Sequence, residues 1–289
     1  MIISNKYKIV EKIGQGEFGN IFKGENIRTK EMVAIKMESI YSEINTLKRE
    51  TQIYQYLGKR IGIPSVKWYG TINKYNYMVL PLYLYSLDKY HIIHKNNKNG
   101  NTFSLDKIVE IGKSIIDLLR FVHEKRLIHR DIKPDNFCVD NKNQIHIIDF
   151  GMCKQYKNED EEHIPIRFEK TIIGTPRYIS INIHDGIEPS RRDDLESVGY
   201  ILLFLLYGKL EWDKPSVFID KMKEMKHQCT NTNTNTNTNT NTNTNTNTNT
   251  NIEQRIHSYI IWTRQLEFNE NPDYEHAIQL FQYTDQKEK

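Results

Sequence analysis

The sequence predicts an α+β fold with two lobes, a small β-rich N-terminal lobe over about residues 1–81 and a mostly helical C-terminal lobe over about residues 82–289. In the first eighty residues, short β-like segments surround a glycine-rich turn, as in paired strands. The later sequence has amphipathic stretches at helical spacing, such as Leu105–His123. A polar octapeptide, His129–Asn136, is followed at short range by Asp149-Phe150-Gly151. We therefore expect one domain whose chemistry lies on two neighbouring loops.

The composition is that of a globular chain without a strong charge bias. Hydrophobic residues make up 38% and charged residues 27% of 289 residues, and the net charge is only +3. This charge does not argue for nucleic-acid binding. Three cysteines without metal-type spacing favour a reduced, intracellular compartment. We expect a monomer without nucleic-acid or membrane partners, in the cytoplasm or nucleus (of a host cell if the gene is viral).

The glycine-rich stretch Gly14–Gly19 lies between two predicted strands over Tyr7–Lys23. Glycines let a backbone approach phosphate oxygens. The same G-x-G-x-x-G pattern also begins dinucleotide-binding units, but a helix should follow there, whereas here Val33-Ala34-Ile35-Lys36 comes next. An ordinary hairpin turn is the alternative, and it leaves Lys36 unexplained. The candidate nucleotide contacts here are Ile13, Gly14, Gln15, Gly16, Glu17, Phe18, Gly19, Ile21, Ala34 and Lys36.

A lysine that contacts phosphates needs a carboxylate to hold it in place. Leu47–Leu57 has the apolar spacing of a helix and carries Glu50, which we expect to pair with Lys36. Glu43 is a weaker candidate, and a solvated helix glutamate is the alternative interpretation of Glu50.

Further strands are predicted at Trp68–Gly70 and Tyr77–Leu80, followed by a hinge at Leu80-Pro81-Leu82-Tyr83. Adenine would bind the backbone there, through Leu80, Pro81 and Tyr83. Proline has no N–H, so Pro81 can offer only its carbonyl, and the family resemblance described below implies that the backbone donor lies two residues later, at Tyr83. The polar stretch His91–Asn101 predicts a surface loop.

The two polar loops predict phosphoryl-transfer chemistry. Asp131 would accept a proton from an attacking hydroxyl, while Asn136 and Asp149 would hold Mg²⁺ against the phosphates of a nucleotide. A short strand at Ile145–Ile148 joins the loops. The alternative, two surface turns, does not explain why both motifs occur at this spacing together with Lys36.

The rest of the chain predicts helices around one low-complexity insertion. Lys154–Glu162 is a charged surface segment, and Asp194 is expected to cap its helix and bond the catalytic-loop backbone. Thr230–Asn251 alternates Thr and Asn and cannot contribute to a packed core, so we expect a disordered insertion without a role. The other expected helices are a buried one over Tyr200–Tyr207 that ends at Gly208, an amphipathic one over Ile252–Phe268, and a last one over Tyr274–Tyr283.

Nearly the whole chain resembles the casein kinase I family of Ser/Thr protein kinases. The resemblance implies the two-lobed protein-kinase fold, the cofactors ATP and Mg²⁺, and transfer of the γ-phosphoryl group to Ser or Thr of acidic or already phosphorylated proteins. It also implies that Lys133 steadies the γ-phosphate, and it assigns a substrate phosphate to Arg177. The motifs that carry it are the octapeptide with Phe137, His163-Ile164-Pro165, Ser180-Ile181-Asn182, Ser190–Glu196 and Asn271-Pro272-Asp273-Tyr274.

Some features depart from that family or leave alternatives. Lys221 or Lys223 is expected to supply the second charge beside Arg177, with a solvated helix face as an equal alternative. Pro176 stands where the family has alanine, and Leu80-Pro81 stands where it has Met-Glu. Two rival functions are a non-catalytic scaffold and a small-molecule phosphotransferase. The intact lysine, base and metal ligands argue against the first, and Ser180-Ile181-Asn182 argues against the second.

Overall fold

The computed structural model describes residues 1–16, 19–42, 45–97, 103–214, 216–230 and 245–281. Its strands are β1 (Ile2–Ile3), β2 (Tyr7–Gly16), β3 (Gly19–Asn26), β4 (Met32–Ser39), β5 (Trp68–Ile72), β6 (Tyr75–Pro81), β7 (Tyr85–Ser86), β8 (Leu127–Ile128), β9 (Phe137–Val139), β10 (Ile145–Ile147) and β11 (Lys154–Gln155). Its helices are α1 (Leu47–Leu57), α2 (Leu87–Asn97), α3 (Leu105–Glu124), α4 (Ile181–His184), α5 (Arg191–Tyr207), α6 (Ile219–Gln228), α7 (Asn245–Gln265) and α8 (Tyr274–Gln279), with a 3-10 turn at Pro134–Asn136.

The first of two compact units comprises Met1–Leu87 and Asp135–Cys153. Its main sheet has the antiparallel order β1-β2-β3-β4-β6-β5. Alternation along β4 gives this sheet two faces. One face buries a cluster of Ile3, Tyr7, Val33, Ile35, Tyr77 and Val79. The other face carries Ala34, Lys36 and Glu38, and α1 packs against it.

Residues Asp135–Cys153 group with the first unit, although the sequence placed them in the C-terminal lobe. Strand β9 pairs with both β10 and β7, and Leu84 donates its backbone N–H to Val139. The ring of Tyr83 also stacks on His146, with centroids 4.2 Å apart. These pairings tie the two segments together, and the lobe boundary expected near residue 81 stays a prediction.

The second unit comprises Asp88–Pro134 and the described part of Lys154–Lys289. Helix α5 lies at its centre, and every residue of α5 except Arg192 and Tyr207 is buried. Helices α3 and α7 pack against it. Gly199 permits this approach, because a Cβ there would lie 2.3 Å from Cγ1 of Ile260. The buried helix predicted before Gly208 is confirmed, and Gly208 ends it with a φ of 74°.

Two sequence-based element assignments were wrong. Part of the loop expected over His91–Asn101 is α2, which extends to Asn97. Leu87 and His91 are buried one turn apart, and the His91 ring lies 4.9 Å from that of Phe204, so packing stabilises a helix that polar composition had concealed. Helix α7 begins at Asn245, seven residues before the expected Ile252, and therefore includes the end of the Thr/Asn tract. Residues 231–244 of that tract, and the expected end of the last helix at Tyr283, lie outside the described residues.

Two further features are the hydropathy of the helices and the state of the cysteines. Among the described helices, none combines the length and hydropathy that crossing a membrane requires. The three cysteines, Cys138, Cys153 and Cys229, are free thiols.

Candidate active site

Lys36 is held between two carboxylates in the first unit. Its Nζ donates to Oε2 of Glu50 at 2.7 Å and to Oδ1 of Asp149 at 2.8 Å. The side chains of Lys36 and Glu50 are 11% and 1% exposed, so water screens this pair little. The predicted pairing of Lys36 with Glu50 is confirmed, and the weaker candidate Glu43 lies outside the described residues.

The environment keeps Lys36 protonated. Burial alone would lower the pKa of Lys36, but the adjacent carboxylates of Glu50 and Asp149 outweigh burial and raise it above its ordinary value. Burial raises the pKa of Glu50 to about 7, against the opposing charge of Lys36. Lys36 is therefore a cation at neutral pH, which suits a group that contacts phosphate oxygens.

Helix α1 is anchored to β4 at a second point, through Glu38. The Glu38 carboxylate accepts the backbone N–H of Thr46 at 2.8 Å and that of Leu47 at 3.2 Å. It thereby satisfies free N–H groups at the start of α1, where the helix dipole also favours a negative charge. Glu38 is 1% exposed. Sequence reasoning missed this residue, although its position two residues after Lys36 puts it on the same face of β4.

The loop that carries Asp149 is also attached to α1. The Asp149 backbone N–H donates to the Tyr54 hydroxyl at 3.0 Å, and the Tyr54 and Phe150 rings meet edge to face with centroids 5.0 Å apart. The Arg49 guanidinium donates to the Cys153 carbonyl at 2.9 Å. These contacts set the position of Asp149 relative to Lys36.

The glycine-rich hairpin continues the main sheet up to its turn. Strands β2 and β3 pair as far as Gly16 opposite Gly19, which confirms the two predicted strands. Gly19 is needed because a Cβ there would lie 2.2 Å from the Met37 carbonyl oxygen. The candidate nucleotide contacts Glu17 and Phe18 lie outside the described residues.

The other candidate nucleotide contacts share this sheet or follow it directly. Ile21 pairs with both Gly14 and Lys36, and Ala34 pairs with Leu80. Of the rest, Ile13, Gln15 and Gly16 lie on β2, Pro81 ends β6, and Tyr83 follows two residues later.

Asn136 and Asp149 provide the oxygen donors of a candidate Mg²⁺ site. The Ile148 N–H donates to the Asn136 carbonyl at 2.8 Å, which ties the two loops together. Asn136 is 4% exposed, whereas the Asp149 side chain is 34% exposed. One carboxylate and one amide fit Mg²⁺, which takes few protein ligands and completes its shell with water and substrate phosphates. The described residues contain no group of three or more His, Cys, Asp or Glu that could hold a metal ion.

In the second unit, Asp131, Lys133 and Thr175 form a closed network. Lys133 Nζ lies 2.7 Å from Oδ2 of Asp131 and donates to the Thr175 hydroxyl at 3.1 Å. That hydroxyl donates to Oδ1 of Asp131 at 2.8 Å. Sequence reasoning assigned roles to Asp131 and Lys133 but missed Thr175. The signal in the sequence was the adjacent glycine, Gly174. In the structure its φ is 90°, and a Cβ there would lie 2.6 Å from the Arg130 carbonyl oxygen.

Asp194 holds the loop before Asp131, as predicted. Its carboxylate accepts the backbone N–H groups of His129 at 2.7 Å and Arg130 at 2.8 Å, and one oxygen lies 3.0 Å from Nε2 of His123. Burial alone would raise the pKa of Asp194, but these hydrogen bonds and the nearby histidines lower it. The predicted capping role was wrong, because Asp193 instead accepts the backbone N–H of Ser190 at 2.7 Å.

Arg177, the candidate for a substrate phosphate, is paired within the chain. Its guanidinium donates to Oδ2 of Asp213 at 2.6 Å. Lys223 forms an ion pair with Asp185, and Lys221 is exposed. The phosphate site therefore stays a prediction, and Arg177 and Lys223 each already have a carboxylate partner.

A buried lysine stabilises the backbone next to Arg177. Lys226 is 0% exposed, and its Nζ donates to the carbonyls of Pro176 at 2.8 Å and Ile179 at 2.7 Å. Nζ also lies 3.1 Å from Nε2 of His184. Helix α6 thus fixes the segment on which Thr175 and Arg177 lie.

The chain matches a known family over nearly its whole length. A family model described as a protein kinase domain matches residues 7–279. The match covers both units and includes all of the site residues above.

Proposed function

Because the chain belongs to the protein kinase family, with the ATP-dependent phosphotransfer of that family, we propose that it is a protein Ser/Thr kinase of the casein kinase I type. The observation that carries this proposal is the Thr175 hydroxyl, which is hydrogen-bonded to Asp131 and to Lys133. The Thr175 hydroxyl, an aliphatic hydroxyl, already donates a hydrogen bond to Asp131. A substrate Ser or Thr would present the same chemistry to the second oxygen of this carboxylate.

The proposed mechanism gives each residue one task. Asn136 and Asp149 would hold Mg²⁺, which would offset phosphate charge, and bound ATP would supply the phosphoryl group. Asp131 orients the acceptor hydroxyl and takes its proton. Lys36, kept cationic by Glu50, neutralises phosphate charge. Lys133 neutralises the charge of the γ-phosphate next to the acceptor hydroxyl. Most of the rate gain then comes from positioning and electrostatics.

The neighbours of Asp131 support the proposed acceptor class. Lys133 two residues after the base matches the Ser/Thr-kinase pattern, and Thr175 joins it to the segment after Gly174. This network supports a short aliphatic hydroxyl as the acceptor. The finer assignment to the casein kinase I type rests on the motifs that resemble that family, Ser180-Ile181-Asn182 among them. Acidic protein substrates, a monomeric state and a cytoplasmic or nuclear location are part of the proposal on the same grounds.

A panel of acceptors tests the function. The enzyme would be given labelled ATP and Mg²⁺ with matched Ser, Thr and Tyr peptides and with small-molecule alcohols. We expect transfer to Ser and Thr peptides, little transfer to Tyr, and none in Asp131→Asn. Transfer only to small molecules would favour the rival phosphotransferase. Binding of ATP without transfer to any acceptor would favour a scaffold.

A further inference from the structure

The guanidinium of Arg177 is occupied by a carboxylate of the same chain. Arg177 donates to Asp213 at 2.6 Å, and its guanidinium lies 4.8 Å from the centre of the Phe204 ring and 5.1 Å from that of Tyr178. The Arg177 and Asp213 side chains are 33% and 22% exposed. The pair is therefore partly shielded from water and partly exposed to it.

Hydrogen bonds to the backbone of Leu210 hold Asp213 in this position. The oxygen that accepts from Arg177 also accepts the Leu210 N–H at 2.7 Å, and the Asp213 N–H donates to the Leu210 carbonyl at 3.1 Å. The indole N–H of Trp212 donates to the Arg177 carbonyl at 2.8 Å. The turn that carries Asp213 is thus bound directly to the residue whose charge it neutralises.

The second cation considered for a substrate phosphate has the same arrangement. Lys223 on α6 forms an ion pair with Asp185, which follows α4, and these side chains are 34% and 40% exposed. Two cations that would attract a phosphate group are therefore both matched by aspartates of the chain.

We propose that Asp213 is a specificity-determining residue that takes the place of a substrate phosphate at Arg177, so that the kinase accepts unphosphorylated Ser/Thr substrates without a priming phosphate. The proposal rests on the proposed function and names the substrate class of that site. A phosphoserine would have to displace a carboxylate that is attached to the site. A tethered competitor of this kind acts at an effective concentration of the order of millimolar or more. Peptide phosphate at micromolar concentration therefore gains little from Arg177.

The test compares two peptides, one with a phosphoserine three residues before the target serine and one with an unmodified serine there. The measured quantity is the ratio of kcat/KM for the phosphorylated peptide to that for the unmodified peptide. We expect a ratio within about threefold of one for the wild type. Asp213→Asn preserves shape and the acceptor for Leu210 but removes the charge, and it should raise the ratio at least about tenfold, which corresponds to about 1.4 kcal/mol.

Matched variants separate specificity from structural damage. Asp213→Glu keeps the charge and should leave the ratio near the wild-type value. The double variant Asp213→Asn with Arg177→Gln should lose the new preference, because the phosphate would have no guanidinium to bind. Because a general loss of activity lowers both kcat/KM values, the ratio does not respond to it.

The outcomes distinguish failure of this inference from failure of the proposed function. A wild-type ratio of ten or more overturns the inference even if Asp213→Asn fails to fold, and an unchanged ratio in a folded Asp213→Asn protein also overturns it. Absence of transfer to both peptides would instead remove the proposed function. Calorimetric binding of the phosphorylated peptide would then still test the site, because only the Asp213→Asn protein should prefer that peptide to the unmodified one.

Discussion

At the scale of single residues, the Thr175 hydroxyl is the feature that links Asp131 to the segment after Gly174. It is within hydrogen-bond distance of both Asp131 and Lys133, so it limits the directions in which their side chains point. The contact joins residues 44 positions apart in the chain. A local motif cannot report a contact of this range.

Removing that hydroxyl should slow the chemical step. Thr175→Val has nearly the same shape without the hydrogen bonds, and we expect kcat to fall about tenfold to a hundredfold because Asp131 and Lys133 lose their orientation. Thr175→Ser should recover most of the loss. Steady-state kinetics with a serine peptide checks this, and a Thr175→Val enzyme with wild-type kcat would rule out the orienting role.

Removing the charge of Asp149 should nearly abolish turnover. Asp149→Asn weakens the oxygen donor for Mg²⁺ and releases one partner of Lys36, so we expect kcat to fall by about a thousandfold or more. The exposed Asp160→Asn provides a control that changes the same charge elsewhere. Peptide phosphorylation over a range of Mg²⁺ concentrations measures the effect, and near-normal turnover would contradict the metal assignment.

At the scale of elements, α5 supports the loop before Asp131 through Asp194. Asp194→Asn leaves one neutral amide oxygen in place of two charged oxygens. The buried N–H groups of His129 and Arg130 then donate to a weaker acceptor. We expect a loss of about 2–4 kcal/mol in the free energy of unfolding. Urea denaturation measures it, with Asp160→Asn again as the control. A loss comparable to that of an ordinary surface substitution, below about 0.5 kcal/mol, would be incompatible with this role.

The contact between α4 and α6 should make stability depend on pH. Burial and the charge of Lys226 lower the pKa of His184 from its ordinary 6.5 to about 4. The charge of Lys223 also lowers this pKa, whereas the charge of Asp185 raises it. Between these values the unfolded chain binds a proton that the folded chain does not bind, so stability should fall as the pH falls from about 6.5 to about 4.

His184→Gln isolates this contribution, because glutamine does not titrate and its side-chain oxygen still accepts from Lys226. We expect the unfolding temperature of this variant to decrease less between pH 6.5 and pH 4.5 than that of the wild type. Differential scanning calorimetry at both values tests this, and parallel curves for the two proteins would show that His184 makes no such contribution.

At the scale of the whole molecule, nucleotide and metal should stabilise the fold together. A ligand at a hundred times its Kd adds about 2.7 kcal/mol to the free energy of unfolding. We expect ATP with Mg²⁺ to raise the unfolding temperature and ATP with excess EDTA to raise it much less, because the oxygens of Asn136 and Asp149 need the cation to hold phosphate charge. Thermal-shift measurements check this, with Asp149→Asn as the control. Equal shifts with and without Mg²⁺ would contradict a metal-dependent site.

Much of the fold could be predicted because periodic patterns report it directly. Helix α1 has the predicted bounds, Leu47–Leu57, and the glycine-rich hairpin forms as expected. Helix α2 was missed because few apolar residues mark it, and its burial depends on residues distant in sequence such as Phe204. Local periodicity contains no information about such partners.

The site could be predicted in part for a related reason. Lys36, Glu50, Asp131 and Asn136 belong to short motifs whose spacing reflects a shared chemistry. The pairing of Arg177 with Asp213 could not be predicted, since 36 residues separate the two and the match depends on the path of the intervening chain.

Strand β4 binds α1 through two carboxylate contacts, Lys36 with Glu50 in the first turn of the helix and Glu38 with the N–H groups that begin it. Two separated attachments prevent the helix from pivoting about either one. Any outward displacement of α1 must break the ion pair and expose the helix end in the same movement, so partly displaced positions are energetically unfavourable. Displacement of α1 would therefore require both contacts to break together, and we expect an inhibitor that needs a displaced α1 to bind slowly, at the rate at which these contacts break.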